Sequence, residues 1–112
     1  MPDCLFCGIA AGQIPATIVV DGKRTVAFRD INPQAPVHVL VIPREHVPSL
    51  DHARDAAMLG RLSLMAAEIA RNEGITANGY RTVMNTNAAA GQTVFHVHLH
   101  LLGGRSMHWP PG

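Results

Sequence analysis

Charge is scarce in this chain. Asp, Glu, Lys and Arg together supply 15% of its 112 residues, and the net charge is only +1 with histidines neutral. There is no block of like charges and no basic stripe, so nucleic acid is not expected as a partner. No apolar run approaches the ~20 residues of a membrane span, which argues against a membrane role. Cysteine is rarer still. Two residues, Cys4 and Cys7, cannot build a disulfide framework. Met1-Pro2-Asp3-Cys4 carries neither the basic nor the apolar stretch of a secretory signal. The expected location is therefore the cytoplasm, where the two cysteines stay thiols or serve as metal ligands.

What is present is apolar. Residues of that class make up 47% of the chain, too many for a disordered segment. The length suits a single domain, residues 1–112, able to bury roughly two thirds of its unfolded surface. So low a charged fraction also points to a surface partly covered by a second subunit.

Residues 4–11 are expected to form a short N-terminal helix, stopped near Gly12 and Pro15. Thr17 to Val20 is β-branched, Asp21-Gly22 is a hairpin signal, and Thr25 to Phe28 is the returning strand. Prolines 33 and 36 make a loop of the next stretch, and Val37 to Ile42 is a third strand. Met58, Leu62, Met65 and Ile69 recur at helical intervals, with Asp51 as the expected N-cap and Gly74 as the stop. Tyr80 to Thr86 and Val94 to Leu102 read as the last two strands, the final one the longest. Strands, one long helix, then strands predict an α+β domain with an antiparallel sheet of about five strands.

The last strand carries the chemistry. Side chains alternate between faces in a strand, so His96, His98 and His100 share one face with Val94. Phe95, Val97, Leu99 and Leu101 share the other as a core face. Imidazoles about 6–7 Å apart are too spread for one ion, but suit separate tasks around an extended anion. The central His98 is the best-placed nucleophile, because imidazole is largely neutral at pH 7. Its neighbours can donate to phosphate oxygens, and Gly91-Gln92-Thr93 offers further donors. The bare pattern leaves two readings open: catalysis, or metal binding by an i, i+2 histidine pair.

His96-Val97-His98-Leu99-His100-Leu101-Leu102 resembles the signature of the histidine triad (HIT) superfamily. Phe28 to Pro36, Val41 to His46 and Gly91 to Phe95 resemble it too. The tail from Gly103 to Gly112 is similar to that of the histidine triad nucleotide-binding (Hint) branch. The resemblance implies a homodimer that hydrolyses purine nucleoside phosphoramidates through a nucleotidyl-histidine intermediate. It makes His98 the nucleophile and sets His100 on the phosphate oxygens. His38 would orient the catalytic imidazole, and Thr93 would approach the phosphate and leaving nitrogen. Asp30 would bind the ribose hydroxyls, with Phe6, Ile9, Phe28, Ile31 and Leu40 near the base. Asn85, with the Gly91-Gln92 donors, would lie near the ribose and phosphate. Thr93 stands where that branch often has serine, and Ala88-Ala89-Ala90 replaces a more polar loop. Both departures bear on substrate preference.

Cys4-Leu5-Phe6-Cys7 supplies half of a tetrahedral zinc site, which His46 and His96 would complete as in some bacterial triad proteins. The alternative is a pair of idle thiols. Rival functions are a dinucleoside polyphosphate hydrolase, a nucleotide-binding adaptor, or a metal-dependent hydrolase using His96 and His98. His52 and His108 receive no role. Trp109, flanked by His108 and Pro110, is expected at a neighbouring subunit's active-site rim, or else packed on its own subunit.

Overall fold

The computed structural model describes residues 3–112; Met1 and Pro2, the start of the expected domain, lie outside the described residues. Among the described residues the elements are α1 (Leu5–Ala10), β1 (Ile18–Asp21), β2 (Thr25–Arg29), β3 (Val37–Pro43), α2 (Ala56–Asn72), β4 (Tyr80–Val83) and β5 (Leu99–Gly103). Short 3-10 turns at Leu50–His52 and Ala88–Ala90 lead into α2 and β5. The strands form one antiparallel sheet in the order β1-β2-β3-β5-β4, as the α+β expectation required.

Strand alternation divides the core in two. Ala27, Val39, Val41, Leu99 and Leu101 face α2, which buries Met58, Leu62, Ala66, Ile69 and Ala70 against them. Each fully buried leucine or isoleucine there contributes about 1.5–3 kcal/mol. Val26, Phe28, Leu40 and Ile42 point to the other side, where α1 lays Phe6 and Ile9 over the sheet. Arg44 secures that arrangement. Its guanidinium donates to the carbonyls of Ala10 (2.6 Å) and Gly22 (2.9 Å) and pairs with Asp21, joining the end of α1 to the β1–β2 turn.

Several boundaries differ from the sequence reading; β2, β3 and the last strand each run one residue further, to Arg29, Pro43 and Gly103. α2 is capped by Asp55, whose carboxylate accepts the Ala57 and Met58 amides, while Asp51 sits in the preceding 3-10 turn. β1 is Ile18–Asp21, one residue later than expected, with a register shift between Ile18 and Val20. The last strand begins at Leu99, not Val94. Leu99 pairs with Val41 and His100 with Val83, and the pairing with β3 stops at Leu99 although β3 itself runs on to Pro43. Val97 instead donates its amide to the carbonyl of Val47 at 2.7 Å. β4 stops at Val83, opposite His100 and short of Thr86. Phe95, expected in the core, is 48% exposed because it lies on this irregular stretch. No helix of the described residues is long and apolar enough to cross a membrane.

Candidate active site and cysteine–histidine cluster

A cavity of about 700 Å³ opens on the α1 side of the sheet. Phe6 and Ile9 of α1, Phe28 of β2 and Leu40 of β3 line its apolar part. Asp30, Ile31, Thr93, His98 and His100 give it a polar end. Nine of the residues expected near a nucleotide therefore do meet in one cavity. Sequence reading missed the stretch Ile14-Pro15-Ala16-Thr17, which forms part of the wall but carries no chemical motif.

Asn85, Gly91 and Gln92 are absent from that wall. Gln92 is buried and fully engaged elsewhere: its Oε1 accepts the Asn87 amide, and its Nε2 donates to the carbonyls of Pro48 and Val94. Its own amide donates to the Asn87 carbonyl. A side chain so committed braces the loop and has no donor left for a phosphate. Gly91, at φ +98°, supplies the left-handed turn that this loop needs.

The hydrogen bonds fix the tautomer of each histidine. His98 donates Nδ1–H to the carbonyl of His96 at 2.7 Å, which leaves the lone pair on Nε2 of a ring that lines the cavity. His38 accepts the Gln34 amide at Nδ1 (3.0 Å), so its proton is on Nε2 and is donated to Nδ1 of His100 at 2.9 Å. His100 is then left with an Nε2–H to offer. His38 thus supports His100 and not His98; the carbonyl of His96 orients His98. The His98 and His100 ring centroids are 5.0 Å apart, closer than a regular strand would set them. Phe6 stands edge-on to His98 at 5.0 Å, the α1 side of the same site.

Burial keeps these imidazoles neutral. It lowers His38 and His98 below the ordinary 6.5, against the pull of Asp30. For His100, burial and then the neighbouring His98 and His38 press the value down to about 4. Asp30 Oδ2 lies 3.4 Å from His38 Nε2, while its Oδ1 accepts the Asn32 amide. Asp30, His38 and His100 also bring three donor atoms together, yet the Gln34 amide works against an ion there. It holds the His38 proton on Nε2, the atom a cation would need bare.

His96 occupies a different place. It is fully buried and does not line the cavity. Its Nε2–H donates to the Pro43 carbonyl at 2.7 Å, and its Nδ1 faces Cys4 Sγ (3.4 Å) and Cys7 Sγ (3.5 Å). His46 Nδ1 lies 3.3 Å from Cys7 Sγ. The four expected ligand atoms all lie within 4.8 Å of one another. Tetrahedral zinc with bonds of about 2.0–2.3 Å sets its ligands roughly 3.3–3.8 Å apart. The contacts match that spacing, and the Pro43 carbonyl, by holding the proton on Nε2, turns the bare Nδ1 of His96 to the cysteines, as hydrogen bonds to metal-binding imidazoles do. Burial, and the Cys4 thiol beside it, push the Cys7 thiol up. Of the two places the sequence offers His96, the face of His98 and His100 or the cysteine pair, its side chain takes the second.

His52 Nδ1 meets Ser49 Oγ at 3.0 Å, away from the cavity. Trp109 is 82% exposed, so it does not pack on its own chain.

Comparison with known proteins agrees with this geometry. A HIT-like protein of Synechococcus elongatus is 53% identical over 98% of this chain and 97% of its own. The crystal structure of a HIT family hydrolase from Legionella pneumophila superposes with a TM-score of 0.96 at 50% identity, covering 98% of this chain and all of that one. A zinc-bound histidine triad family protein from Mycobacterium smegmatis superposes with a TM-score of 0.84 at 31% identity, covering 93% and 76%. The HIT domain itself matches residues 11–107, and with these relatives it places the chain in the HIT family.

Proposed function

We propose that this protein is a hydrolase of purine nucleoside phosphoramidates, the adenosine 5′-monophosphoramidase type of the Hint branch, with residues 1–112 acting as one domain. The observation that carries the reading is His98: a neutral imidazole with its Nε2 lone pair free, on the wall of a cavity with an apolar end and a carboxylate. Apolar walls suit a purine, Asp30 suits the ribose hydroxyls, and the Nε2–H of His100 suits a phosphate oxygen. His98 attacks phosphorus, the phosphorus–nitrogen bond breaks as the nitrogen takes up a proton from solvent, and the amine departs beside Thr93 at the polar end. Water then cleaves the nucleotidyl-histidine bond and frees the imidazole. Relatives bearing the words HIT family hydrolase support a hydrolytic outcome.

The cysteine–histidine cluster suits a structural zinc ion, which would staple α1 to the sheet through Cys4, Cys7, His46 and His96. A homodimer in the cytoplasm completes the proposal. Assaying purified protein on adenosine 5′-phosphoramidate beside dinucleoside polyphosphates tests it. Preference for the phosphoramidate is the expected result, and turnover of the polyphosphates alone would overturn it.

A further inference from the structure

We propose that Arg105, outside the cavity, is a positioning residue for the phosphate-facing His100, acting through Gln34 and His38. This rests on the role given above to His100.

Three hydrogen bonds connect the two ends. Arg105 Nε donates to the Gln34 carbonyl at 2.9 Å. The Gln34 amide donates to His38 Nδ1 at 3.0 Å, and His38 Nε2 meets His100 Nδ1 at 2.9 Å. The Gln34 amide is the fixed donor that meets the two histidines. A backbone N–H cannot reverse its role, whereas each imidazole can exchange donor for acceptor. The direction of both histidine bonds, and so the proton on His100 Nε2, follows from where Gln34 sits.

Gln34 belongs to the loop of residues 30–36, and the loop does little to hold itself. Asn32 bonds back to Asp30, and the Gln34 side chain to the Asn32 carbonyl, both locally. The start of the loop is tied to β3, where the Asp30 amide donates to the His38 carbonyl at 3.0 Å, and the tail reaches its far end. Gly104 has φ +87°, and a Cβ there would come within 2.9 Å of Pro36 Cβ, so the turn after β5 is pressed against the loop. That turn aims Arg105 at Gln34. The same loop carries Asp30 and Ile31 of the cavity wall, so Arg105 steadies the ribose side and the phosphate side together.

The test uses full-length Arg105→Ala and Arg105→Lys proteins, with Gln34→Pro as a variant that deletes the amide donor outright. Imidazole nitrogen NMR reports the tautomers of His38 and His100 on the protein alone. Steady-state kinetics on adenosine 5′-phosphoramidate reports their effect. Arg105→Ala is expected to shift the His38 and His100 nitrogen signals and to lower kcat about three- to tenfold, the worth of one hydrogen bond, with KM changing less. Arg105→Lys, which keeps a donor, is expected to recover most of the loss. Gln34→Pro is expected to shift the same signals further. Unchanged His38 and His100 signals in Arg105→Ala would overturn the proposal, whatever Gln34→Pro shows. A fall in kcat without any tautomer change would overturn it equally. Because the NMR readout needs no substrate, it decides the role of Arg105 even if phosphoramidates are not turned over.

Discussion

The Nδ1–H of His98 points at the carbonyl oxygen of His96, 2.7 Å away and only two residues back along the chain. The ring of His96 meanwhile faces two cysteine sulfurs. One residue therefore serves the cavity with its backbone and the cysteine cluster with its side chain. Phe6 reinforces the link, since it sits between Cys4 and Cys7 in sequence and packs edge-on against His96 and His98. Whatever fixes the cluster also fixes the orientation of the proposed nucleophile.

Replacing His98 with alanine should lower turnover of adenosine 5′-phosphoramidate by at least about a thousandfold, because covalent catalysis is lost with the imidazole. Nucleotide affinity should survive, since Asp30 and the apolar wall are untouched. Calorimetry with a nucleoside monophosphate and single-turnover kinetics check the two halves. Turnover near that of the parent would remove His98 from the mechanism.

Metal analysis of protein purified without chelator should find about one zinc per chain. Cys4→Ser with Cys7→Ser should abolish retention and lower Tm, because an ion bound only by the folded state adds its binding energy to folding. Zinc retained at full stoichiometry in the double variant would show that it binds elsewhere.

Acid should destabilise the protein before its carboxylates titrate. In the unfolded chain histidines take up protons near ~6.5, whereas burial holds folded His38 and His98 lower and His100 down to about 4. Between those values the unfolded state binds more protons, so stability is full above the unfolded value and is lost as pH falls toward 4. Thermal melts should give a level Tm from pH 7 to 8 and a decline beginning below ~6.5. A Tm that rises on acidification would contradict the neutral histidines.

Sedimentation at micromolar concentration should give about twice the 12.0 kDa chain mass. Among the described residues β4 is an edge strand with one side unpaired, and Leu64 on α2 and Trp109 in the tail are 73% and 82% exposed. Edge pairing would cover such surface. Deleting residues 107–112 should then alter the ranking of leaving amines by kcat/KM while sparing His98 chemistry. A monomer under these conditions would refute the dimer.

Much of this was determined by the sequence alone. Alternating apolar residues set the two faces of β2 and β3, and helical spacing set the buried stripe of α2, because both depend on local periodicity. The cavity wall was legible to the extent that a family motif named it: Asp30, His98 and His100 were found, and Ile14 to Thr17 were not. Strand ends were beyond it. Whether residues 94–98 are strand depends on where their pairing with β3 and β4 stops, and no local property records that. By the same shortfall, strict alternation groups the His96 side chain with His98 and His100 and puts Phe95 in the core, whereas the Cys-x-x-Cys pattern does lead His96 to the cysteines. Tertiary structure alone decided that His38 serves His100, that Gln92 is spent on its own loop, and that a backbone amide at Gln34 directs the histidine protons. Those are relationships between groups distant in sequence, and hydrogen-bond direction exists only once the fold has brought donor and acceptor together.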